Sequence, residues 1–191
     1  MPNHVQRPRQ FRCPLLLAVL AAVASSASAA EGPPRLRKYT SRHYTLDTNL
    51  APTEAVLFGR HMDTVFDQYA KRFRGFRSRS NEPMSLYLFA TQQEYLLFLH
   101  GHGINASNTG GIFFVQPNIR GLATWTKGKP RSRTVAILQH EGFHQFLDYF
   151  LENPPRWFNE GLGEYFEVAV NLGGRKGFRF GDHNKGDLSR V

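Results

Sequence analysis

The stretch "VAILQHEGFHQFLDYF", Val135 to Phe150, sets two histidines and a glutamate into otherwise largely apolar sequence. His140 and His144 are four positions apart. On a helix they therefore share one face about 6 Å from each other, and their imidazoles can converge on a single ion. Glu141 is turned by about 100° on the same helix, off the inner ligand set but within reach of a water bound to the ion. The chemistry on offer is metal binding, with an acid beside a metal-bound water; the plain alternative is two core histidines beside an acid. Catalytic zinc usually takes three protein ligands and keeps one position open, so a further ligand must come from another element.

The following segment, "PPRWFNEGLGEYFE", offers Glu160, Glu164 and Glu167 at spacings of four and three, roughly one helical face. A solvated face is the ordinary reason for such a row. Here, however, the two prolines make a tight connection to the histidine segment. Glu160 lies sixteen positions after His144, far enough for the chain to turn back and bring its carboxylate to the same ion.

"HEGFH" followed by "WFNEGLGEYFE" resembles the gluzincin metallopeptidases, a thermolysin-like group. The chain looks most like exported bacterial peptidase-MA-like proteins of unassigned function, over about Thr134 to Val170. The resemblance implies a zincin-like α+β fold and one Zn²⁺ ion held by His140, His144 and Glu160. It also implies Glu141 as general base, and Glu164 as an acid that accepts a hydrogen bond from the first histidine. A ligating histidine needs such an acceptor to fix its tautomer; Asp148, four residues after His144, is a separate candidate for that histidine. The implied reaction is peptide-bond hydrolysis on a peptide or protein substrate. The substrate would add as an extra strand along an edge at Gly111 to Val115 or Leu122 to Trp125. Gluzincins commonly steady the oxyanion with a Tyr or His beyond the glutamate helix, yet only 27 residues follow Glu164 here. His183, Tyr165 and Tyr149 are the groups at hand, each with a structural reading as well, and a C-terminal region present in relatives is expected to be missing.

The elements that must position these residues read as follows. "HYTLDT" alternates like a strand, and Phe58, Met62, Val65, Phe66, Tyr69 and Phe73 recur at helical spacing. "PMSLYLFA" reads as a strand, and Thr91 with Glu94 forms a capping-box pattern for a short helix ending at Gly101 or Gly103. "GGIFFVQP" and "GLATWTKG" read as two strands around a turn. Helices are expected over about Thr134–Phe150 and Arg156–Val170, separated by "ENPP". The order β, α, β, α, β, β, α, α gives a small mixed sheet packed on helices, an α+β fold. Gly142, Gly161 and Gly163 interrupt the two site helices at a cost of about 1 kcal/mol each relative to alanine, through mere tolerance or for close approach.

Arg7, Arg9 and Arg12, the apolar run Leu15 to Val23 and the small residues of "ASSASAAEG" form a secretory signal pattern, with cleavage expected after Ala29 or Ala30. One domain, residues 30–191, would remain, exported to a periplasmic or extracellular location and not stably inserted in a membrane. Cys13 is the sole cysteine and leaves with the signal, so disulfides cannot hold the fold. Removing three arginines from 24 basic residues leaves 21 against 15 acidic, a net +6. The densest basic cluster is "KRFRGFRSR", Lys71 to Arg79, with Phe73 and Phe76 interleaved. It reads as a helix C-terminus and loop rather than a nucleic-acid surface, and no nucleic-acid partner is expected. "LHGHG", with His100 and His102, shows no third ligand and reads as an exposed loop. Two other functions stay open: a metal-stabilised binding module without catalysis, and a basic extracytoplasmic binding protein without a metal.

Overall fold

Strand β2 (Tyr44–Thr48) shows how the sheet is written into the sequence: Tyr44, Leu46 and Thr48 are buried, while the residues between them are half-buried. The computed structural model describes residues 34–75, 82–173 and 177–180. The expected signal segment, Phe76, Arg77, Arg79 and His183 lie outside the described residues. β1 (Arg37–Thr40) precedes β2, and α1 (Pro52–Arg72) crosses from β2 to β3 (Met84–Phe89). α2 (Gln92–Gly101), the hairpin β4 (Gly111–Gln116) and β5 (Ile119–Trp125), then α3 (Arg131–Asp148) and α4 (Arg156–Glu167) follow. A two-strand pair, β6 (Val170–Asn171) with β7 (Phe178–Arg179), comes last among the described residues.

The five-stranded sheet runs β1-β2-β3-β5-β4. Its central strands β2, β3 and β5 are parallel, and the edges β1 and β4 are antiparallel to their neighbours. The fold is thus a mixed-sheet α+β arrangement, as the element order suggests. Alternation along β3 sends Met84, Leu86 and Leu88 to one buried cluster and Phe89 to another. The sheet therefore has helices on both faces, with α1 and α3 over the first cluster and α2 over the second. Because β5 is paired on both sides, Leu122 to Trp125 offers no free edge; of the two expected edges only β4 is one.

Local signals explain most boundaries. Thr91 caps α2 by accepting from the Glu94 N–H at 3.3 Å, and Glu94 accepts from the Thr91 N–H at 2.9 Å, the reciprocal pattern visible in the sequence. Pro52 opens α1, and Lys71 and Arg72 occupy its last turn, where cations oppose the helix dipole. Arg72 also lies over the Phe180 ring, 3.7 Å from its centroid, so this part of the basic cluster is used internally. Helix α3 begins at Arg131, earlier than expected, because Pro130 supplies the extended N-cap backbone. Helix α4 stops at Glu167, and Val170 starts β6 instead. β1 has no expected counterpart: "RKYT" is exposed at three of four positions and lacks an apolar face to read.

Three aromatic residues fix the site helices to the scaffold. Phe166 of α4 meets Tyr69 of α1 at 4.7 Å and stacks on Phe143 of α3 at 4.9 Å between ring centroids. Each side chain is buried, and burial of a phenylalanine contributes about 1.5–3 kcal/mol. The Tyr69 hydroxyl donates to the Gln139 carbonyl at 2.5 Å, the residue before His140. At the far end of α3 the Gln145 amide donates to the Ser85 carbonyl of β3 at 2.9 Å. The histidine helix is thereby held at both ends of its functional turn.

Candidate metal centre

Helix α3 carries His140 and His144 on one face, with ring centroids 4.6 Å apart and planes perpendicular. The connection after α3 includes Asn153 in the left-handed region, with φ of 48°, and two prolines. The chain turns back there, and α4 packs antiparallel along α3. Glu160 Oε2 then lies 3.6 Å from His140 Nε2 and 3.8 Å from His144 Nε2. All three donor atoms fall within 4.8 Å of one another. Donors at about 2.0–2.2 Å from a tetrahedral zinc ion stand about 3.4 Å from each other, so the Glu160 separations are close to what one ion needs. Two imidazoles and one carboxylate are also a donor set suited to zinc and to other divalent transition metals.

Each imidazole has an oxygen near its other nitrogen. His144 Nδ1 donates to Asn159 Oδ1 at 2.8 Å, which leaves Nε2 with its lone pair facing Glu160. His140 Nδ1 stands 3.1 Å from Glu167 Oε2, although off the axis of a well-aligned hydrogen bond. Burial on its own pushes the His140 pKa down, but the Glu167 hydrogen bond and the charges of Glu141, Glu167 and Glu160 outweigh it and raise the pKa. The Glu167 carboxyl is held below its usual range by His140 first, against burial, with Arg133 adding to the effect. The histidines therefore sit in a field of carboxylates, which favours a cation between them.

Glu164 does not take the place expected for it. It is exposed on α4, and the acid beside His140 is Glu167. Helix rotation explains the exchange. Gly163 is the α4 residue directly against the rings: a Cβ built there would lie 3.0 Å from His140 Cε1 and 3.1 Å from His144 Cε1. Glu160 and Glu167 flank that position at three before and four after, on the same stripe. Glu164 is one residue on, about 100° round toward solvent. Gly163 thus permits the close approach, whereas a Cβ at Gly161 would meet nothing within 4 Å. Gly142 faces the opposite side, where a Cβ would come within 2.7 Å of the Met62 Cε.

The Glu141 carboxylate accepts the Phe113 N–H of edge strand β4 at 2.9 Å. The candidate base is thereby fixed beside the free edge of the sheet. Asp148 is not at His144; it pairs with Arg120 of β5, and Asn159 fills that role. Tyr149 is buried and lies under the Arg120 guanidinium, 4.4 Å from its ring centroid. Tyr165 stacks on Phe180 at 5.5 Å. His100 and His102 are exposed at the end of α2, and among the described residues no acid or histidine completes a triad with them.

Asn159, Glu167 and the Phe113 N–H are site groups that sequence reasoning did not assign. Glu167 stood in the acid row; Asn159 had no signal beyond preceding Glu160. No protein-family model matches the chain, and a search of the curated proteins finds no match.

Proposed function

We propose that the chain is an exported zinc-dependent peptidase with a zincin-like fold, in which His140, His144 and Glu160 hold the metal and Glu141 is the general base. The observation that carries this reading is the meeting of three donor atoms from two helices within 4.8 Å of one another. Zinc held there supplies Lewis acidity, acidifying water toward a pKa of about 7 and polarising a substrate carbonyl. The Asn159 hydrogen bond leaves the His144 Nε2 lone pair free for a metal, and the Glu167 carboxylate beside the His140 Nδ1 would favour the same tautomer there. Glu141 accepts a proton from the attacking water at its carboxylate and returns it to the leaving amine. The free edge of β4 offers backbone groups to an extended peptide, as the hydrogen bond from Phe113 to Glu141 places that edge at the base. No helix among the described residues is long and apolar enough to cross a membrane.

A second reading, a metal-stabilised binding module, is favoured by that same bond, because a carboxylate satisfied by a backbone N–H can serve packing alone. Glu141→Gln separates the two. Under the peptidase reading the variant keeps one zinc per chain and loses cleavage of a broad peptide library; if the wild type cleaves nothing in that library, the binding module stands.

A further inference from the structure

Arg133 and Glu167 each sit at the wrong end of a helix. Arg133 is in the first turn of α3, where the dipole disfavours a cation, and Glu167 is the last residue of α4, where it disfavours an anion. The two meet across the helix pair, with Arg133 Nη1 donating to Glu167 Oε1 at 2.6 Å. The other oxygen of the same carboxylate, Oε2, faces His140 Nδ1 at 3.1 Å. One carboxylate thus serves two partners, one oxygen each, and its side chain is 17% exposed while that of Arg133 is 55% exposed.

We propose that Arg133 is a positioning residue of the metal centre: it clamps the Glu167 carboxylate so that its second oxygen orients the His140 ring. The inference rests on the metal-site reading given above. A glutamate at a helix terminus has several rotamers open to it, and the arginine adds a second contact that holds the one reaching His140. The pair lines an open cavity of about 570 Å³ together with His61, Ser132, Gln139 and Asn171, so solvent ions reach it. An exposed ion pair kept only for stability would be worth little; one that sets a ligand's orientation should be read in metal affinity.

The test is zinc affinity of the full chain, measured by competition with a chromophoric chelator. Arg133→Gln is expected to weaken zinc binding about 10-fold, and Arg133→Lys to recover part of the loss because it keeps a cation. In a Glu167→Gln background, Arg133→Gln should cause no further loss, since its path runs through that carboxylate. The ratio between wild type and Arg133→Gln should shrink toward one at about 1 M salt, where the pair is screened. An unchanged affinity in Arg133→Gln, or the same loss with Glu167 already replaced, overturns the proposal. His140→Ala keeps the two readings apart. If it binds zinc as well as the wild type, the metal centre itself falls; if it loses zinc while Arg133→Gln does not, only the role of Arg133 falls.

Discussion

His100 and His102 close α2 in solvent, whereas His140 and His144 lie one helical turn apart against the neighbouring helix α4. Both pairs are close in sequence, and both were legible as possible ligands. What separates them is the surroundings. The first pair has the end of a helix beside it, and the His102 Nδ1 donates back to the Phe98 carbonyl at 2.8 Å. The second has a carboxylate within 3.8 Å of both Nε2 atoms, an acceptor at the His144 Nδ1 and the Glu167 carboxylate 3.1 Å from the His140 Nδ1. A pair of histidines becomes a candidate metal site when a second element brings a third donor beside it.

The comparison breaks most directly by exchange of losses. His140→Ala is expected to weaken zinc binding by about 100-fold or more, by removing one of the three proposed ligands, while the double change His100→Ala/His102→Ala leaves it unchanged. Equilibrium dialysis against zinc measures both; an equal loss in the two variants would dissolve the distinction. Catalysis gives the next effect. Glu141→Gln should reduce peptide turnover by about 10²–10⁴-fold at full zinc occupancy, which steady-state kinetics with metal analysis would show. A variant with unchanged turnover would remove Glu141 from the reaction.

The two glycines of α4 sharpen the same contrast on one helix. Gly163→Ala pushes a methyl group to 3.0–3.1 Å from the two rings and should weaken zinc binding about 10-fold. Gly161→Ala faces open space and should stabilise the fold by about 1 kcal/mol with no effect on zinc. Chemical denaturation alongside zinc titration separates them. The last two changes concern an amide beside the rings and an acid away from them. Asn159→Ala is expected to cost about 10-fold in zinc affinity, because His144 loses its acceptor. Glu164→Gln should cost nothing measurable by the same titration, and a loss there would return the exposed acid to the site.

The fold was legible where local rules and tertiary packing agree. The Thr91–Glu94 capping box, the alternation of β2 and the histidine spacing of α3 all stand as read. The two ends of the acid row show where reading stops. Glu160, Glu164 and Glu167 share a face within the scatter of a helical wheel, and sequence cannot say which of them meets the histidines. That choice depends on the rotation of α4 about its own axis. Phe166, wedged between Tyr69 and Phe143, and Gly163, pressed on the rings, set that rotation. β1 was missed for a related reason. Its four residues gain their strand geometry from pairing with β2, not from a pattern of their own.

X-ray absorption at the zinc edge of the loaded full chain tests the central claim most directly. Two imidazole nitrogens and carboxylate oxygen at about 2.0–2.2 Å are expected, with one imidazole lost in His140→Ala. A zinc shell without imidazole, or a chain that retains no zinc, would contradict the account.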